Sequence, residues 1–443
     1  MKRFLALSFP LLIAVCAFSG CKKKETFTAE EIAAAAKLKP TKDPVKEEIY
    51  AFRIAVRQDY NSRRFAELEK RATELRRSKA VFGNGSWKLS EFYDSFPCRS
   101  DEPESMWQLH DRIHRDWIAA FPQSVTARVA YADFFVSYAW HARGSGFAKT
   151  VTAEGWRLFR ERIEAARRTL EEARQLPERD PIWWSVVLQI ARAQGWSKDE
   201  YDRTVDAAQS FQSKFWEYDV SRAVSLLPRW YGKPGDWEGY AEQAAARPDG
   251  LGDEIYARIV MALHGYYTNV FRETTASWEK ARAGLERMRQ LYPRSLDILS
   301  EAAKLAVQAE DRELAGEMFV QLADRYLSSV WQKPEYFVRY RKWAGVSDIA
   351  PVADENTKLA ARQKTAPATG SLVSPVASVT PPPHVSTAWS AKTVRAIRAK
   401  ADRRAIVIPK NVQLRVIARS GADVMVSYKG STVTIPLSAT DLK

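Results

Sequence analysis

The sequence predicts a mainly α-helical protein that carries a small all-β unit at its C-terminus, and three observations predict it. From residue 44 to about residue 345 the chain runs as amphipathic segments of roughly 10–20 residues broken by Pro, Gly and Asp, with apolar residues at helical spacing. After residue 404 the apolar spacing switches to period two. Between them, residues 350–390 are dominated by Pro, Ala, Ser, Thr and Val and contain Pro381-Pro382-Pro383. Such a composition buries too little apolar surface to offset its ordering cost and reads as a linker. The 443 residues are 46% hydrophobic, enough for one large core or two smaller ones.

The chain opens with Lys2 and Arg3, an uncharged apolar run over residues 4–18, then Ser19-Gly20-Cys21 and Lys22-Lys23-Lys24. A membrane-spanning helix needs about 20 apolar residues, so this shorter run reads as the hydrophobic region of a secretory signal. Phe18-Ser19-Gly20-Cys21 resembles the lipobox of bacterial lipoproteins, with Phe18 where that family usually has Leu. The resemblance implies a signal peptide over residues 1–20 and acylation of Cys21, which becomes the mature N-terminus and ties the chain to the lipid bilayer. Two acyl chains already give stable anchoring. Lys22 stands where an inner-membrane retention signal would have Asp, so the resemblance implies the outer membrane, facing the periplasm. Cys16 leaves with the signal and Cys21 is acylated, which leaves Cys98 without an internal partner and no disulfide framework.

Residues 21–43 read as a polar tether. Within it Thr28 and Glu31 form a capping box before an Ala-rich run that Pro40 stops. Asp43-Pro44 then reads as an N-cap followed by Pro at the first helical position, opening a helix through about Gln58. The next helix puts Phe65, Leu68, Ala72 and Leu75 on one stripe and ends before Gly83-Asn84-Gly85. The helical domain is thus expected over residues 44–349.

Two breaks in that domain recur with similar dressing. Phe121-Pro122-Gln123-Ser124 leads into a helix with Ala127, Ala130 and Ala132, and Tyr292-Pro293-Arg294-Ser295 into one with Ala302, Ala303 and Ala306. Each follows a helix carrying Trp near its start, Trp107 and Trp278. Residues 296–322, with Ala303, Ala306, Asp311, Ala315 and Phe319, resemble a tetratricopeptide-type helical hairpin, in which small residues let paired helices approach closely. The spacing is irregular, so the expectation is a tetratricopeptide-like repeat domain of degenerate period. The pieces Phe65-x-x-Leu68, Trp87-Lys88-Leu89, Phe92-Tyr93, Ala142-Arg143-Gly144 and Pro228-Arg229-Trp230-Tyr231-Gly232 are also similar to a family of bacterial proteins of unknown function, a resemblance that implies no activity.

At the C-terminus, residues 405–408, 412–417, 423–428 and 432–435 read as short strands separated by Pro409-Lys410-Asn411, Ser420-Gly421-Ala422 and Lys429-Gly430-Ser431. Residues 409–442, with Tyr428-Lys429-Gly430 and Pro436-Leu437-Ser438, resemble a bacterial SH3-like domain, which implies a small β-barrel over residues 391–443.

The net charge of +14 is not spread evenly. Residues 392–443 hold eleven Lys and Arg against three acids, residues 1–24 contribute five further cations, and residues 25–353 balance to zero. A main domain with no basic surplus on an exported chain argues against a nucleic-acid partner. Lys392, Arg395, Arg398, Lys400, Arg403 and Arg404 fall just before the first expected strand, where a helix would gather them, and suit an anionic polymer such as peptidoglycan or lipid phosphate.

Few residues suggest catalysis. His110 and His114, at i and i+4 with Asp111 between, are the one pair at metal-ligand spacing, but Asp is a methylene shorter than the Glu of a zinc-protease helix and the stripe also carries Trp107 and Trp117. The sequence is therefore read as holding no metal and no cofactor. Gly144-Ser145-Gly146 and Gly232-Lys233-Pro234-Gly235 match neither a phosphate loop nor a dinucleotide fingerprint and read as helix-ending loops. The aromatic residues say more. Trp140 and Arg143, and Arg229, Trp230 and Tyr231, sit beside Gly at helix ends, with Trp183, Trp184 and Trp196 nearby in sequence. On a concave helical surface they would form a groove where rings stack on a peptide or sugar and Arg meets a carboxylate. The expected function is that of a non-catalytic interaction scaffold in the cell envelope, binding an envelope protein, with the basic module on the cell wall. The alternative is a metal-dependent envelope hydrolase built on His110 and His114.

Overall fold

The computed structural model of the protein describes residues 26–144, 146, 148–346, 390–392, 397–401, 404–420, 423–428 and 431–440. They form a helical unit and a C-terminal β unit. The helical unit holds α1 (Ala29–Ala35), α2 (Pro44–Asn61), α3 (Phe65–Ser78), α4 (Lys88–Tyr93), α5 (Glu104–Ala120), α6 (Val125–Arg143), α7 (Ala153–Arg174), α8 (Pro181–Gln194) and α9 (Lys198–Phe211). It continues with α10 (Glu217–Ser225), α11 (Asp236–Ala245), α12 (Asp253–Leu263), α13 (Val270–Glu273), α14 (Trp278–Leu291), α15 (Leu296–Gln308), α16 (Arg312–Leu322), α17 (Ser328–Trp331) and α18 (Pro334–Trp343). The protein is mainly helical.

Local signals place most helix starts. Thr28 and Glu31 make the full capping box of α1, Asp43 accepts the Val45 N–H at 2.9 Å, and Ser124 and Ser295 cap α6 and α15. The apolar stripe of α3 buries Phe65, Leu68, Ala72 and Leu75. From α5 to α12, helices that follow one another in sequence pack against one another, and α14 packs on both α12 and α15. Small residues set how closely. In the α15–α16 hairpin Ala302, Ala303, Ala306 and Ala315 are fully buried. Where α14 crosses α12, a methyl group on Gly284 would sit 2.0 Å from the carbonyl oxygen of Asp253.

Long-range contacts shift one expected boundary. Residues 27–41, read as part of a free tether, are packed: Phe27 meets Tyr336 edge-on at 5.1 Å, the Thr41 N–H donates to the Tyr326 carbonyl at 2.7 Å, and Arg339 grips both oxygens of Glu31 at 2.8 Å. The folded unit starts near Phe27, not at residue 44. The reason is that Glu31 serves two partners, the α1 N-terminus and an arginine 308 residues away. In turn, α2 lies across the array. Lys46 and Glu48 pair with Asp297 and Arg294 at one end, and Arg53 pairs with Glu91 at 2.5 Å and Asp94 at 2.6 Å toward the other. The first helices thus tie α4 to α15 and α18.

The β unit has strands β1 (Ser390–Lys392), β2 (Ile397–Ala401), β3 (Arg404–Ile408), β4 (Gln413–Ser420), β5 (Asp423–Tyr428) and β6 (Ser431–Pro436). They form an antiparallel sheet of order β1-β4-β5-β6 and a β2–β3 hairpin, with an irregularity in β4 between Val416 and Ala418. Val433 and Ile435 are buried while Thr434 and Pro436 are exposed, the period-two pattern of a half-buried strand. The helix expected around Lys392, Arg398, Lys400 and Arg404 is absent among the described residues. Lys392 lies in β1, Arg398 and Lys400 in β2, and Arg404 in β3. The ladder pairs Ile397 with Ile408 and Ala401 with Arg404, and the β-branched Ile397, Ile406, Val407 and Ile408 favour that extended backbone. Cys21, the linker residues 350–389, Arg395 and Arg403 lie outside the described residues. No helix among those described is long and apolar enough to cross a membrane.

Candidate binding surface

Two aromatic–arginine motifs about ninety residues apart in sequence meet on the helical unit. α6 ends at Gly144, whose φ of 72° lets its N–H turn back to the Trp140 carbonyl at 3.0 Å, leaving Trp140 and Arg143 on the last turn. After α10, the Trp230 N–H returns to Leu227 at 2.8 Å and the Tyr231 N–H to Ser225 at 3.2 Å. Gly232 permits that fold-back, since a methyl there would lie 1.8 Å from the Leu226 carbonyl oxygen. The loop so formed brings Trp230 edge-on to Trp140, with ring centroids 6.2 Å apart.

Other side chains complete the patch. Phe159 of α7 packs edge-on against both Trp140 and Trp156. The Arg143 guanidinium lies over Trp140 at 5.5 Å and Trp156 at 5.4 Å, and Arg192 of α8 over Trp230 at 5.6 Å. The Tyr231 hydroxyl donates to the Arg192 carbonyl at 2.6 Å, satisfying an acceptor in the last turn of α8. Arg229 stacks on Tyr266 at 5.2 Å.

The patch is wet on one side. Tyr231 is 53% exposed, Arg229 is exposed, and Trp140, Arg143 and Trp230 are half-buried. Arg143 donates to the carbonyls of Gly144 and Gly146, and neither it nor Arg229 has a carboxylate partner among the described residues. Partial burial lowers the Arg143 pKa and raises that of the Tyr231 phenol. The arrangement can bind a carboxylate or a flat apolar group between stacked cations and rings.

All five residues expected from sequence lie here. Trp156, Phe159, Arg192 and Tyr266 were missed; Trp156 and Phe159, three apart on a helix, carried the only local signal. Trp183 and Trp184 belong elsewhere, beside a cleft at the N-terminal end of α8, and the Trp196 indole donates to Gln194 at 3.0 Å.

His110 and His114 share a face of α5, but that face is core. Arg57 lies 3.2 Å from His110 Nε2 and the Phe96 carbonyl 3.0 Å from Nδ1, so the proton sits on Nδ1 and both nitrogens are engaged. His114 is fully buried among Tyr60, Tyr131 and Phe134, with no hydrogen-bond partner for either nitrogen. Burial, with Arg57 nearby, holds His110 well below the usual imidazole range and His114 down to about 3. No group of three or more His, Cys, Asp or Glu among the described residues is placed to hold a metal ion. With a guanidinium at the Nε2 lone pair and no third donor, the pair does not fit a metal centre.

No protein-family model, curated protein or solved structure matches the chain.

Proposed function

We propose that this is a lipid-anchored bacterial envelope protein, held at the outer membrane through acylated Cys21 and facing the periplasm, that acts as a non-catalytic interaction scaffold. In this reading the tetratricopeptide-like helical body binds an envelope protein through the Trp140–Trp230 patch, and the basic SH3-like unit rests on peptidoglycan or another anionic polymer. One observation carries it: Arg143 and Arg229 stack on aromatic faces, unmatched by any carboxylate among the described residues, beside the half-exposed ring of Tyr231. Trp, Tyr and Arg supply most of the energy at the centres of protein interfaces.

The test is affinity capture from envelope extracts with the full chain, compared with Trp230→Ala and Arg143→Ala. A partner retained by the wild type and lost with both variants is the expected result; identical capture by all three overturns the patch assignment. Mass spectrometry of the native N-terminus checks the anchor, and an unmodified Cys21 thiol overturns it. Co-sedimentation with cell-wall sacculi checks the basic unit, with binding expected to fall as salt rises.

A further inference from the structure

We infer that the helical unit holds a second docking site, separate from the Trp140–Trp230 patch, for an extended acidic peptide with apolar anchors. The site consists of two clefts that share Phe211 as a common wall. One, of about 590 Å³, lies between the loop after α3, the α9–α10 turn and Tyr292. The other, of about 440 Å³, lies at the N-terminal end of α8 beside Trp183 and Trp184. Arg192 of the patch sits near the opposite end of the same helix, about 14 Å along its axis at 1.5 Å per residue.

Charge selects the occupant. Every acid lining the clefts is matched within the protein: Glu254 by Arg258 at 2.7 Å and the Tyr292 hydroxyl at 3.1 Å, and Glu178 and Asp180 by Arg76 at 2.8 and 2.9 Å. The cations are not, apart from Arg174, which pairs with Glu171 at 3.6 Å. Lys79 and Lys214 are exposed on the first cleft with no carboxylate partner among the described residues, and Arg179 on the second donates to the carbonyls of Leu176 and Glu178. The lining therefore carries an unneutralised positive field that suits carboxylates.

Apolar surface selects further. Phe211 is 41% exposed and Val81 43% exposed, which a purely ionic ligand would leave uncovered. The floor beneath them is fixed in advance. Arg258 lies between Trp216 at 4.7 Å and Tyr292 at 5.4 Å, and the Trp216 indole donates to the Gly85 carbonyl at 3.0 Å. Gly85, at φ 78°, fits where a methyl group would sit 2.1 Å from the Arg258 guanidinium. A floor held this way loses little freedom when a ligand arrives.

The experiment pans a displayed library of random peptides against the full chain. The expected enrichment is of sequences in which Asp or Glu flank Leu, Phe or Trp. A synthetic peptide of the enriched sequence should bind Lys79→Glu/Lys214→Glu and Phe211→Ser each about tenfold more weakly, with Trp230→Ala unchanged. The three altered side chains are exposed, so thermal melts should match the wild type. Enrichment of basic or uncharged peptides, no enrichment, or undiminished binding by the double variant overturns the inference. So does inorganic polyphosphate that competes fully and binds Phe211→Ser as well as wild type, an outcome that assigns the clefts to anionic polymers. Because Trp230→Ala spares this site, its failure and that of the patch are told apart.

Discussion

The Asp43 carboxylate accepts the backbone N–H of Asp297 at 2.9 Å while its other oxygen accepts the N–H of Val45 at 2.9 Å, so one side chain caps two helices that begin 252 residues apart, at Pro44 and Leu296. A single N-cap contributes about 0.5–2 kcal/mol. Asp43→Ala should therefore cost about 2–3 kcal/mol, read as a fall in the urea midpoint at unchanged slope. Thr152, which caps α7 alone, is the control, and Thr152→Ala should cost about 1 kcal/mol. Equal losses would remove the second role of Asp43.

That residue also marks the limit of what the sequence discloses. Asp43-Pro44 announces the start of α2 because cap and first turn are chain neighbours, but nothing near Asp43 points to Asp297. Mainly helical architecture was legible for the same reason, since its signals are local: the stripe of α3 and the caps at Thr28, Ser124 and Ser295. The patch was half legible. Trp140 with Arg143, and Arg229 with Trp230 and Tyr231, stood out as neighbours in sequence, whereas Trp156 and Arg192 join them only through helix packing. Around Arg398 and Lys400 a charge cluster suggested a helix, and ladder pairing of Ile397 with Ile408 prevailed instead.

Packing at Gly284 gives a second prediction. Alanine is the better helix former by about 1 kcal/mol, yet its methyl at this position would lie 2.0 Å from the Asp253 carbonyl oxygen and 2.7 Å from the Ala257 methyl. Backbone must move, and overpacking of this kind costs about 1–3 kcal/mol or more. Gly284→Ala should lower the melting temperature, while Gly239→Ala in α11, where a methyl meets nothing within 4 Å, should raise it slightly. A stabilised Gly284→Ala would contradict the close α12–α14 crossing.

His114 offers a pH test. Its folded-state pKa, near 3, lies below the usual 6.5, so the unfolded chain binds a proton that the folded chain refuses. Stability from this group is complete above about pH 6.5 and is lost as pH falls toward 3, by up to about 1.4 kcal/mol per unit. Phenylalanine fills similar space among Tyr60, Tyr131 and Phe134 and forfeits no hydrogen bond, since neither nitrogen makes one. His114→Phe should stabilise the protein, and the gain should grow between pH 6.5 and about pH 4 in chemical denaturation. A gain independent of pH would mean that the imidazole is protonated in the fold.

Asp133 should show the opposite slope. It is 5% exposed on α6, with Gln189 donating to it at 3.4 Å, and burial raises its pKa to about 7. The folded chain thus holds a proton that the unfolded chain releases near pH 4, so stability from this group is complete below about pH 4 and falls as pH rises to about 7. Asparagine keeps the shape without the charge, at the cost of an amide whose extra donors need partners. Asp133→Asn should therefore be near neutral at about pH 4 and more stable than wild type by about 1–3 kcal/mol at about pH 8. Measured together, the gain of His114→Phe should shrink with rising pH as that of Asp133→Asn grows. Parallel slopes would mean that one of these two buried groups titrates as it does in water.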